Sequence, residues 1–160
     1  MIDTPLVMYD DDHRKILAVL QRLVRDANAK GIFLVDKNGQ LIASSGAAQN
    51  LDTTSLASLT AGNVAAMGGL AKLIGEKEFP NQFHEGERES LHMSIVGGRV
   101  VLVVIFDAKS SLGLVRLRVK KAGEELAKVF DALARKQAAP GATSPFAEIT
   151  DDDIDNLFSE

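Results

Sequence analysis

The chain has no cysteine. Disulfide frameworks, thiolate metal sites and cysteine nucleophiles are therefore excluded together. Histidine is scarce too: His13, His84 and His92 are the only three, and no two stand at the His-x-x-x-His spacing with which one helix face grips zinc. His92 alternates with Leu91 and Met93 and reads as an exposed strand residue. Long apolar runs are missing. The longest, Val100–Phe106, is far short of the roughly 20 residues that span a bilayer, and no basic-then-apolar leader precedes Tyr9. The expectation is a cytoplasmic chain with no membrane contact, and a net charge of −4 gives nucleic acid no attraction.

What is present is ordinary globular material, with 46% apolar and 25% charged residues. A chain of 160 residues supports one core, so a single domain over 1–137 is expected. Residues 138–145 (Ala-Ala-Pro-Gly-Ala-Thr-Ser-Pro) read as a linker, because none of their side chains can build a core. Residues 146–160 form a separate acidic element. Glu148, Asp151, Asp152, Asp153, Asp155 and Glu160 give it −6 with no basic residue, leaving +2 on the rest. Thr150 and Asp153 have capping-box spacing, and Ile154, Leu157 and Phe158 lie three and four apart. A helix that short needs a partner surface to form.

Between these landmarks the periodicities predict helix, strand, strand, helix, three strands, helix. Asp10, Asp11 and Asp12 open a helix whose apolar stripe is Ile16, Val19, Leu20, Leu23, Val24 and Ala27, ending near Lys30 and Gly31. Residues 32–35 and 41–43 form a hairpin about Asp36-Lys37-Asn38-Gly39. A second helix spans 54–74, capped by Asp52, Thr53 or Thr54 and stopped by Gly75. Residues 82–85 suit a short edge strand. Ser90, His92 and Ser94 alternating with Leu91, Met93 and Ile95 suit a strand with one wetter face, and Gly97-Gly98 reverses the chain into the fully apolar Val100–Phe106, a central strand. Ser110 or Ser111 caps a long last helix running to about Gln137.

The second helix is unusual. At 100° per residue, Leu56, Leu59, Met67, Leu70 and Ile74 share a sector that is expected to meet the sheet. The opposite sector holds Ala57, Ser58, Ala61, Gly62, Ala65, Gly68, Gly69 and Lys72. Three mid-helix glycines each cost on the order of 1 kcal/mol relative to alanine, and close approach of another backbone would offset that. These eight residues are the expected contact surface, for a second subunit and a further partner.

Catalytic constellations are not found. Residues 69–77 have the glycines and lysines of a phosphate loop but lack its Gly-Lys-Ser/Thr ending and lie at a helix end. No bound nucleotide, metal or other cofactor is expected, and the chain reads as a non-enzyme. Arg99, Arg116 and Arg118 could in principle enter a phosphoryl-transfer site, but two fall on the last helix and one beside a turn, where solvated charge is the commoner fate.

The element order, with Phe33-Leu34-Val35-Asp36-Lys37-Asn38-Gly39-Gln40-Leu41-Ile42 as its first hairpin, resembles the Roadblock/LC7 family. Leu51-Asp52-Thr53-Thr54-Ser55-Leu56-Ala57-Ser58-Leu59-Thr60-Ala61-Gly62-Asn63, Phe79-Pro80-Asn81-Gln82-Phe83-His84-Glu85-Gly86, Leu112-Gly113-Leu114-Val115-Arg116-Leu117-Arg118 and Asp151-Asp152-Asp153-Ile154-Asp155-Asn156-Leu157-Phe158 narrow the likeness to the bacterial members that control a Ras-like GTPase of the MglA type. The resemblance implies an α+β fold, αββαβββα, with a five-stranded, mostly antiparallel sheet between helix two on one face and helices one and three on the other. It also implies a homodimer formed by edge-to-edge pairing of the third strands and packing of helix two on its copy. One such dimer would engage one GTPase and speed hydrolysis by repositioning the GTPase's own catalytic residues, in the service of cell polarity and motility, with enrichment at a cell pole. The C-terminal motif Ile154, Leu157 and Phe158 would dock on a separate GTPase face and be associated with nucleotide exchange. Lys15, Lys120 and Lys121 are candidate charged contacts for the GTPase or for the acidic tail. The alternative is a passive dimeric scaffold with no effect on GTP hydrolysis.

Overall fold

A computed structural model describes residues 10–138. The proposed linker over 138–145 lies almost wholly outside the described residues, and the acidic element over 146–160, with Ile154, Leu157 and Phe158, lies entirely outside them. The elements are α1 (Asp10–Asp26), β1 (Gly31–Asp36), β2 (Leu41–Gly46), a 3-10 turn (Ala47–Asn50), α2 (Thr53–Leu73), β3 (Asn81–Glu85), β4 (Ser90–Val96), β5 (Val100–Phe106) and α3 (Leu112–Ala138). This is the expected order, with the 3-10 turn added.

The sheet runs β2-β1-β5-β4-β3. Every adjacent pair is antiparallel, so the qualifier "mostly" is unnecessary for the described residues. The all-apolar β5 lies at the centre and is buried along its whole length, as a strand covered on both faces must be.

Local chemistry fixes the ends of the elements. Asn28, at φ +49, closes α1: the Ala29 and Asn28 amides donate back to the Val24 and Arg25 carbonyls, which makes the stop a Schellman motif with asparagine in the usual glycine place. The helix thus stops short of Gly31. Gly31 is needed for another reason: a Cβ there would stand 2.5 Å from the Ala48 amide nitrogen, because the 3-10 turn packs directly on β1. Gly97 and Gly98, at φ +59 and +68, form the tight β4–β5 turn.

Two cores result. On one face α1 and α3 bury Ile16, Leu20, Val115, Leu126, Phe130 and Leu133 against Ile32, Leu34, Leu102 and Val104. On the other, Phe33, Val35, Val101, Val103 and Ile105 meet Ala48 and Ala57, with Leu56 and Val64 alongside. Register places Phe83, His92, Val104 and Ile32 in one row across the sheet. Because Val104 and Ile32 belong to the α1/α3 core, His92 faces that layer too. The wetter face expected for β4 is therefore the one α3 covers, and His92 is 2% exposed.

Candidate interaction surface

The second helix starts on a strong cap. The Asp52 carboxylate accepts from the Ser55 amide at 3.1 Å and the Ser55 hydroxyl at 2.7 Å. These same bonds, the hydroxyl's first, hold the Asp52 carboxyl below its ordinary value. The helix ends on a Schellman motif: Gly75, at φ +88, donates to the Lys72 carbonyl and Glu76 to that of Ala71. Both ends are therefore set by the sequence.

Its rotational phase is not the expected one. The face on the sheet consists of Ala57, Thr60 and Ala71, all buried, flanked by the half-buried Leu56, Val64 and Met67. Leu59, Leu70 and Ile74, expected beneath the helix, are 73%, 47% and 65% exposed, and Leu73 is 84% exposed. Ala57, expected on the contact surface, is 1% exposed and belongs to the core. The physical reason lies in the sheet: Phe33, Val35, Val101 and Val103 already fill the space below. A helix can approach so full a surface only through small residues.

The outward face mixes small and large side chains. Ser58, Gly62, Ala65 and Gly69 are exposed or nearly so, as is Lys72, while Ala61 and Gly68 are half-buried at the margin. Cβ atoms at Gly62, Gly68 or Gly69 would meet nothing within 4 Å. Turned outward around this flat strip are Leu59, Leu70 and Leu73. Burying one leucine fully is worth about 1.5–3 kcal/mol, so three on one solvent-facing helix amount to an uncovered core. Polar residues would be the stable choice for a face that stays wet.

A second open feature is β3. It is the sheet's edge, it is exposed at four of its five residues, and Phe83, stacked on Phe106 at 6.0 Å, remains 40% exposed. Unpaired edges template pairing with another chain. The other edge, β2, is better protected, with Ala43 and Ser45 buried under neighbouring elements.

The charged candidates do not converge. Lys15 is exposed on α1, Lys120 lines a groove between α3 and β4, and Lys121 lines the α1–α3 cleft. Arg116 lines the same groove as Lys120, and Arg118 the same cleft as Lys121. Both arginines therefore stand across the sheet from α2, and Arg99 follows the Gly97-Gly98 turn.

His92, expected on an exposed strand face, is also misplaced by sequence reasoning: it is buried. Both ring nitrogens lack a hydrogen-bond partner. Burial, and secondarily the Arg116 guanidinium, lower its pKa, so the ring is held neutral. Glu89 precedes it by three residues, but among the described residues no group of three or more His, Cys, Asp or Glu side chains could hold a metal. Among those residues, too, no helix is long and apolar enough to cross a membrane.

Known proteins place this architecture. The Roadblock/LC7 domain profile matches residues 15–106. Myxococcus xanthus MglB is 73% identical in sequence, superposes with a TM-score of 0.76, and is matched over 80% of this chain and 96% of its own. A structure described as MglB with a tetrameric arrangement is 33% identical, with a TM-score of 0.76 over 82% of this chain and 99% of its own. The gliding protein MglB from Thermus thermophilus is 34% identical, with a TM-score of 0.75 over 82% of this chain and 99% of its own.

Proposed function

The chain belongs to the Roadblock/LC7 family, and from that premise we propose that it is a homodimeric regulator of a small Ras-like GTPase of the MglA type. The observation that carries the reading is the outward face of α2, where Leu59, Leu70 and Leu73 surround the flat strip of Gly62, Ala65 and Gly69. Two copies joined through β3 would extend the sheet and bring their α2 helices side by side. The pair then offers one continuous apolar platform for one GTPase. The likeness to an MglB in a tetrameric arrangement supports self-association of the chain.

The regulator accelerates GTP hydrolysis without a reacting group of its own. A partner that binds the hydrolysis-competent conformer of the GTPase more tightly raises its population by that differential affinity alone. A hundredfold acceleration asks for about 2.7 kcal/mol of such preference, which is within what one buried leucine contributes. This reading uses no inserted arginine: Arg116 and Arg118 lie on the opposite layer from the platform, and Arg99 stands at the β4–β5 turn. The tail motif of Ile154, Leu157 and Phe158 supplies a second grip on the GTPase that bears on nucleotide exchange.

Single-turnover GTP hydrolysis by an MglA-type GTPase, with and without this chain, tests the proposal. Stimulated turnover with the wild type and its loss with Ala65→Arg is the expected result. Binding without any change in turnover would identify a passive scaffold instead.

A further inference from the structure

On the layer opposite α2, a groove of about 500 Å3 opens between α3 and the β3–β4 edge of the sheet. Its apolar wall is Val96, Val119 and Ala127. Gly123 leaves a notch in that wall: a Cβ there would reach only the Val96 side chain, at 3.8 Å. Arg116 and Lys120 stand along the α3 side, with Glu124 as the single acid. At the bottom lies His92, 2% exposed and with neither ring nitrogen paired. A buried imidazole left unpaired is destabilising, and a polar group entering the groove would satisfy it. The groove thus asks for a short segment with apolar side chains and carboxylates, free of competing positive charge.

The chain carries such a segment. Residues 151–158, Asp-Asp-Asp-Ile-Asp-Asn-Leu-Phe, combine four carboxylates with Ile154, Leu157 and Phe158 and contain no basic residue. Reach is sufficient. Lys120 lies 18 residues before the end of α3, about 27 Å at 1.5 Å per residue. The 12 residues from 139 to 150 extend up to about 40 Å. We propose that, in the chain free of any partner, the acidic C-terminal segment docks in its own α3–β4 groove, with its apolar residues against Val96, Val119 and the Gly123 notch and its carboxylates toward Arg116, Lys120 and the His92 ring. The proposal stands on charge, shape and reach, and does not require that the chain act on a GTPase.

The absence of native cysteine makes the test clean. A nitroxide attached to Ser159→Cys in the full-length, isotope-labelled chain should strip most of the intensity from amides over 92–96 and 116–127, and from the His92 ring, while leaving α1 and α2 sharp. The double charge reversal Arg116→Glu with Lys120→Glu, on exposed α3 positions, should restore those signals. Gly123→Leu, which fills the notch without changing charge, should restore them too. Circular dichroism of each variant verifies the fold. Broadening that is absent, uniform, or centred on α1 or α2 overturns the proposal, as does broadening that survives both variants.

Discussion

The two faces of the sheet are covered by opposite kinds of helix. On one, α1 and α3 turn their large side chains inward, so that Leu20, Leu126, Phe130 and Leu133 are buried and charge faces water. On the other, α2 turns Ala57, Thr60 and Ala71 inward and leaves Leu59, Leu70 and Leu73 outside. Amphipathicity in the first case describes a finished interior. Its inversion in the second leaves three leucines in water, the apolar exposure on which the proposed interface rests.

The comparison breaks most sharply under truncation. Phe130→Ala should cost about 3–5 kcal/mol by opening a cavity in the α1/α3 core, whereas Leu73→Ala should change the stability of the dilute subunit by less than about 0.5 kcal/mol. Urea denaturation of both variants measures the contrast, and equal losses would mean that α2 is buried as deeply as α3. Next comes Gly31→Ala, which drives a methyl into the backbone of the 3-10 turn and should cost about 1–3 kcal/mol. The opposite sign is expected for Gly62→Ala. Its Cβ meets open space, so relief of the helical glycine penalty should add up to about 1 kcal/mol to the subunit, even as the added methyl thickens the proposed interface.

The smallest effect is in pH. His92 has a folded pKa below its ordinary value near 6.5, so the unfolded chain binds the proton more readily. The stability associated with a neutral His92 is complete above that ordinary value and declines as pH falls toward the depressed one. Thermal melts between about pH 7 and about pH 5 should fall in midpoint for the wild type, and less steeply for His92→Gln. Parallel slopes would show that the ring titrates freely in the folded protein.

Where one face of an element is decisively apolar, the sequence predicts the structure closely. The stripes of α1 and α3 and the unbroken Val100–Phe106 run each have one arrangement that buries them. The phase of α2 is hidden for a physical reason: apolar residues surround it, and size rather than polarity chooses which side meets the sheet. A wheel drawn on hydrophobicity puts Leu59 and Leu70 inside, but over the bulk of Phe33 and Val103 on the facing strands the helix centres its small residues Ala57, Thr60 and Ala71, with Leu56 and Val64 only at the flanks. The strip of Gly62, Ala65 and Gly69 is nonetheless legible as a surface, because helical glycine demands an explanation. His92 escapes the same reasoning because alternation tells which face a side chain takes and not which faces are covered. Only the packing of α3 over β4 decides that. The close approach of Ala48 to Gly31 is likewise a tertiary fact, with no signal in either segment alone.

That the outward face of α2 is a protein interface is the claim on which the rest turns. Gly69→Arg tests it most directly, since the side chain has open space around it and improves helix propensity. In sedimentation velocity of the variant mixed with a GTP-loaded MglA-type GTPase, the predicted result is a folded chain that neither pairs with its copy nor sediments with the GTPase, where the wild type does both. A Gly69→Arg chain that still forms the complex at wild-type concentrations would contradict it.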